Sequence, residues 1–205
     1  PIEWVKAVRK ICDENGIMLI ADEVQCGFCR SGRMFASEYW KEAGVMPDIL
    51  ATAKSIAAGL PLSAIVAREE IMESVLPGTI GGTYCGNPLA CASALKTIEI
   101  MERDHLAERS LEIGEKVMAE YKKWMEKSDV VGDVRGLGGM VGIEFVTDKK
   151  SKTPNGEIVG KIIQNAVHKG LMLENSGTYG QVIRFLAPLV MTDEQLEAGL
   201  KIFEE

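Results

Sequence analysis

The chain has 205 residues, with 23 Lys and Arg against 30 Asp and Glu, a formal net charge of −7, and 46% hydrophobic residues. That length can bury a real core in one large domain or two small ones. The acidic charge is spread along the sequence, which argues against a nucleic-acid partner, and no apolar run nears the ~18 residues of a membrane span.

Residues 3 to 15 place Trp4, Val5, Val8, Ile11 and Cys12 at helical spacing, and Asn15-Gly16 stops that helix. A short apolar run, Ile17 to Ala21, reads as a buried strand that delivers Asp22. Gly27 and Gly32 break the following segment into a loop before a short helix over Phe35 to Lys41. Pro47-Asp48 turns the chain into a second strand, Ile49 to Ala53, which delivers Lys54. Small residues after Lys54 let the chain reverse into a strand over Ser63 to Ala67. A helical region opens at Pro88 and runs with little interruption towards Glu126, with Leu111, Met118, Tyr121 and Met125 as a buried stripe. A domain boundary is placed near Leu106, giving segments 1–106 and 107–205. Beyond it the pattern is α+β: strand Val141 to Val146, helix Glu157 to Lys169, strands Leu171 to Leu173 and Val182 to Leu186. A last helix opens on the capping box Thr192-x-x-Gln195.

In a parallel sheet, ligands sit beyond the carboxyl ends of the strands, so Asp22 and Lys54 are expected to project into one crevice. A carboxylate and an amine so placed are the minimum kit for an aldehyde cofactor built on a pyridine ring. The amine holds the aldehyde covalently, and the carboxylate, expected to be largely buried against the cationic ring, keeps the ring nitrogen protonated. Taken alone, Lys54 is an ordinary strand-end lysine and Asp22 a surface or capping carboxylate; the neighbouring words decide between the readings. Cys26-x-x-Cys29 has no second Cys or His pair to complete a metal site, so no metal is expected and the five cysteines read as reduced thiols. Gly136-Leu137-Gly138-Gly139-Met140-Val141-Gly142 misplaces the third glycine of a dinucleotide fingerprint and leads into a strand rather than out of one, so it reads as a close-packed turn. Gly81-Gly82-Thr83 could be a turn, or a nest of N–H groups with a hydroxyl around a phosphate. Arg184 stands in an apolar strand, either as an edge-strand arginine reaching solvent or a structural ion pair, or as a planar fork for a carboxylate.

In order along the chain, Asp22-Glu23-Val24-Gln25, Gly27-Phe28-Cys29-Arg30-Ser31-Gly32, Ala53-Lys54-Ser55, Gly59-Leu60-Pro61-Leu62 and Gly81-Gly82-Thr83-Tyr84-Cys85-Gly86-Asn87-Pro88 resemble the class III aminotransferases. The run Tyr179 to Leu189 is most similar to the 4-aminobutyrate aminotransferases within that family. The resemblance implies an α/β fold of the aspartate aminotransferase type (fold type I). Residues 1–106 would be the C-terminal part of the large cofactor domain, with a mostly parallel sheet, and 107–205 a small α+β domain. It implies a pyridoxal-phosphate enzyme moving an amino group from an ω-amino acid, 4-aminobutyrate foremost, to 2-oxoglutarate. Lys54 and Asp22 would be catalytic. Gln25 would contact the cofactor's phenolic oxygen, Thr83 the phosphate of the neighbouring subunit's cofactor, and Arg184 the substrate α-carboxylate. Shared sites imply a homodimer or a dimer of dimers, and the expected location is cytoplasmic.

The chain opens at Pro1-Ile2, directly in a crossover helix. Together with the resemblance this is expected of the C-terminal half of a longer enzyme, inactive alone, whose other half holds the phosphate loop, a ring-stacking aromatic and a gating glutamate. Acetylornithine or ornithine aminotransferases and amino-acid racemases of the same family share the Asp, Lys and Thr. A non-catalytic cofactor-binding module is the alternative from another class. Cys29 departs from the family's usual glycine and requires either a negative φ or strain there.

Overall fold

The structure, a computed structural model, describes residues 1–205. It divides into two compact units, Pro1–Ala107 and Glu108–Glu205.

The first unit begins with helix α1 (Ile2–Asn15), which ends at Gly16 in the left-handed conformation (φ 64°), where glycine carries no Cβ penalty. Only Val5 and Cys12 of its apolar positions are buried; Trp4 and Ile11 are exposed, so the expected stripe is only partly covered. Strand β1 (Ile20–Asp22) follows, then a turn-rich segment and the short helix α2 (Glu38–Glu42). Strand β2 (Ile49–Thr52) pairs parallel with β1, Asp22 opposite Ala51. Strand β3 (Ala64–Ala67) pairs antiparallel with β2, so this three-stranded sheet is half parallel rather than mostly parallel. The short helix α3 (Glu69–Glu73) and the long helix α4 (Pro88–Arg103) complete the unit. Asn87 caps α4, accepting from the Leu89 and Ala90 N–H groups at 2.9 and 3.4 Å, with Pro88 in the first turn where its missing N–H costs nothing. Asp48 ties the sheet together at its other end. Its carboxylate accepts from Leu19 N at 2.7 Å, Arg9 at 2.8 Å and Arg68 at 3.1 Å.

Helix α5 (Leu106–Lys127) is a separate helix, because His105 adopts a left-handed φ of 53° that interrupts the hydrogen-bond ladder expected to run on from α4. In the second unit α5 buries Ser110, Ile113, Gly114, Val117 and Tyr121, a stripe turned away from the expected Leu111 and Met118. The cause is a close backbone approach. A Cβ on Gly114 would lie 2.0 Å from the Gly138 carbonyl oxygen, and Ser110 Oγ accepts from Gly139 N at 2.8 Å. The partner is the hairpin of β4 (Val131–Leu137) and β5 (Met140–Phe145). After helix α6 (Gly156–His168), strands β6 (Glu174–Ser176) and β7 (Val182–Phe185) complete an antiparallel sheet in the order β4-β5-β7-β6. The expected strand at Leu171 to Leu173 is thus displaced three residues onward. Val134, Ile143 and Ile183 stand side by side on the buried face. Each fully buried aliphatic there contributes about 1.5–3 kcal/mol. Helix α7 (Asp193–Glu204) carries the expected capping box: Thr192 Oγ1 accepts from Gln195 N at 3.2 Å, and the Gln195 side chain accepts from Thr192 N at 3.0 Å. Tyr121, Trp124 and Phe203 stack between α5 and α7 with ring centroids 5.1 to 5.5 Å apart. No helix is long and apolar enough to cross a membrane.

Candidate active site

Asp22 ends β1 and Lys54 follows β2 by two residues, so both stand at the carboxyl ends of parallel neighbouring strands. Both side chains are exposed, so Asp22 is not the largely buried carboxylate expected of it; the sheet face on which it stands is uncovered, with Ile20 and Ile65 exposed beside it. Lys54 has a φ of 48°, in the left-handed region that L-residues avoid. Such an outlier costs of order 1–3 kcal/mol and persists only where its surroundings enforce it, which is why such residues cluster at functional sites. Here the enforcement is visible. Lys54 to Ala57 form one 3₁₀ turn with Ile56 and Ala57 buried, and Ser93 Oγ of α4 donates to the Ala57 carbonyl at 3.0 Å.

Beyond Asp22 the chain winds into a turn. Val24 N donates to Asp22 Oδ1 at 3.1 Å, and the Cys26 thiol donates to the Asp22 carbonyl at 3.4 Å. Gln25 sits half-buried in that turn. Burial first, then the neighbouring Glu23 carboxylate, pushes the Cys26 thiol up to about 12, so it is a neutral thiol at neutral pH. Cys29 resolves its departure from glycine by strain, keeping a φ of 68° beside Phe28 at 54°. Phe28 is buried and meets Phe35 edge-on at 5.4 Å, which holds the loop in that form.

Sequence reasoning assigned no role to Glu23, which is 2% exposed. Its carboxylate accepts from Ser37 N at 2.6 Å and Ala36 N at 3.0 Å. The signal was available, since side chains alternate along a strand and an outward Asp22 implies an inward Glu23.

Thr83 is exposed in the turn closed by Cys85 N donating to the Gly82 carbonyl at 2.9 Å, shortly before α4. Arg184 belongs to the second unit. It lies on β7 with Gly142 of β5 on one side and Glu174 of β6 on the other, an inner strand rather than an edge. Its guanidinium meets the Glu174 carboxylate at 2.6 Å, and its Nε is buried with no hydrogen-bond partner.

The sequence pattern of the family described as Aminotransferase class-III matches residues 1–205. The chain belongs to the class III aminotransferases. It is 46% identical over its full length to the 5-aminovalerate aminotransferase DavT of Pseudomonas putida, covering 47% of that protein. Against the 4-aminobutyrate aminotransferase GabT of Escherichia coli it is 42% identical over 98% of the chain and 47% of the relative. Among solved structures, a Bacillus anthracis aminotransferase superposes with a TM-score of 0.90 at 34% identity, over all of this chain and 47% of the other. The chain therefore spans about half the length of the relatives it matches. The class III aminotransferases depend on pyridoxal phosphate. The residues here fit that group: an outward carboxylate and an exposed lysine in enforced, strained backbone, at adjoining strand ends of one sheet.

Proposed function

We propose that the full-length protein is an aminotransferase that takes an amino group from an ω-amino acid, 4-aminobutyrate or its five-carbon homologue, and gives it to 2-oxoglutarate. The observation that carries this is the placement of Asp22 and Lys54 at the carboxyl ends of two parallel neighbouring strands, within a chain that matches its family from end to end. When bound, pyridoxal phosphate supplies an aldehyde that binds amines and a ring that accepts electrons. The protein's residues do the rest. Lys54 Nζ would hold the cofactor, and its amine, once free, would move the proton at the substrate's reacting carbon. Asp22 keeps a proton on the ring nitrogen through charge attraction. Gln25 contacts the phenolic oxygen, and Thr83 donates its hydroxyl to the phosphate of a neighbouring subunit's cofactor, which makes the working unit a homodimer or a dimer of dimers. Arg184 grips the α-carboxylate of glutamate or 2-oxoglutarate with its planar fork. The large-domain and small-domain assignment of the two units, the fold type I architecture and a cytoplasmic setting belong to the same reading. The exposed Ile20 and Ile65, on the same sheet face as Asp22, suit a pocket wall completed by further protein.

The test is covalent trapping. Borohydride reduction of the full-length protein with pyridoxal phosphate, followed by peptide mapping, is expected to place the label on Lys54. Label on Lys41 or Lys96 instead would end the assignment.

A further inference from the structure

The buried carboxylate of Glu23 makes no part of the chemistry above, yet it lies between two of its residues. Three of its polar groups are engaged in three directions. Its N–H donates to the Ala51 carbonyl at 2.8 Å, extending the β1–β2 pairing one step past Asp22. Its carbonyl accepts from Gly27 N at 3.1 Å, closing the turn that contains Gln25. Its carboxylate accepts from Ala36 N and Ser37 N at the start of the segment leading into α2. Charge-assisted bonds to backbone N–H are short and about twice as strong as neutral ones, and a buried carboxylate left without them is costly.

We propose that Glu23 is a positioning residue that acts through Asp22: anchored inward on the Ala36 and Ser37 amides, it fixes the strand end so that Asp22 faces outward. The geometry behind this is strand alternation. Ala21 is buried, Asp22 exposed and Glu23 buried, and a slip of one residue would turn the Asp22 carboxylate into the core. Glu23 therefore sets both which side of the sheet the Asp22 carboxylate occupies and where the Gln25 turn begins. Gly27 tightens the same turn. A Cβ there would fall 2.8 Å from the Glu23 carbonyl oxygen and 3.2 Å from the Phe35 ring, so the chain has little freedom to relax around a released Glu23.

The inference rests on the cofactor reading, and its test separates the two. In the full-length protein, Glu23→Gln keeps one acceptor but sets an NH₂ against an N–H. Glu23→Asp attacks the same clamp differently, because it keeps the charge but draws the carboxylate back by about one methylene from Ala36 N and Ser37 N. Pyridoxal phosphate is titrated into each cofactor-free protein, reading the absorbance of the bound chromophore, its change with pH, and thermal unfolding before cofactor is added. Groups that support a metal ligand are typically worth about 10–100-fold in affinity, and the same scale is taken for Glu23 behind Asp22. Both variants are expected to bind the cofactor at least about tenfold more weakly. The pH at which the bound chromophore changes should also shift, because Asp22 no longer holds its charge against the ring nitrogen. If Glu23→Gln fails to fold without cofactor, the Glu23→Asp result decides. Unchanged affinity and an unchanged pH profile, with only a lower melting temperature, would overturn the proposal and leave Glu23 a fastener of the loop. Wild-type protein that forms no lysine-bound chromophore would overturn the cofactor reading and this inference with it.

Discussion

Replacing Arg184 with alanine should separate the two halves of the proposed reaction. Glutamate and 2-oxoglutarate carry a carboxylate beside the reacting carbon, whereas an ω-amino acid carries none there. A desolvated, hydrogen-bonded ion pair to a substrate carboxylate is worth about 2–5 kcal/mol when one partner is removed. In this structure the guanidinium is not idle, since it meets Glu174 at 2.6 Å. Arg184 is 24% and Glu174 64% exposed, so water screens that pair and its worth is at most about 1 kcal/mol. A substrate carboxylate must displace it, which leaves a net about 1–4 kcal/mol, or about fivefold to a thousandfold in kcat/KM. The loss in Arg184→Ala should appear in the glutamate half-reaction and leave the ω-amino acid half-reaction within about twofold. Glu174→Gln should act in the opposite direction, improving the glutamate half-reaction by no more than about fivefold. Single-turnover kinetics of each half-reaction on the full-length protein would measure both. Equal losses in the two half-reactions, together with no gain from Glu174→Gln, would make Arg184 a strut of the β6–β7 pair and refute the argument.

Two further outcomes follow from packing and charge. Gly114→Ala should lower the melting temperature of the second unit at a cost of about 1–3 kcal/mol, because the new Cβ would fall 2.0 Å from the Gly138 backbone oxygen; alanine is otherwise the better helix former by about 1 kcal/mol, so an unchanged or higher melting temperature would show that the hairpin simply yields. Asp48→Ala should cost about 1–3 kcal/mol at neutral pH in urea unfolding, since it strips a charged acceptor from Leu19 N, Arg9 and Arg68. The Leu19 amide first, then Arg9, holds the Asp48 carboxyl below the usual carboxylate range. Its stabilisation is therefore complete above the unfolded value near ~3.9 and is lost as pH falls from there through the folded value. The gap between wild type and variant should close in acid, and a gap constant down to about pH 2 would refute that linkage.

The sequence by itself determined the local structure whose cause is local. Asn15-Gly16 ends α1 because a left-handed residue is needed there, and Thr192 with Gln195 opens α7 because its first N–H groups need acceptors. The order of the motifs from Asp22 to Asn87 named the family, and the apolar runs before Asp22 and Lys54 put both at strand ends. Tertiary structure decided what depends on close approach. Strand β4 was hidden because Gly136 read as part of a turn; a Cβ on Gly136 would fall 2.6 Å from the Met140 carbonyl oxygen, so glycine is there for proximity and not for flexibility. The buried stripe of α5 turned towards Gly114 for the same reason, a fact that hydrophobicity alone assigned to Leu111 and Met118. Charge told of Arg184 but not of Glu174, whose pairing depends on register between strands ten residues apart in sequence. Glu23 was written beside Asp22 throughout, and alternation already set the two carboxylates on opposite faces; what only the fold shows is what holds Glu23 inward, the amides of Ala36 and Ser37, 13 and 14 residues away.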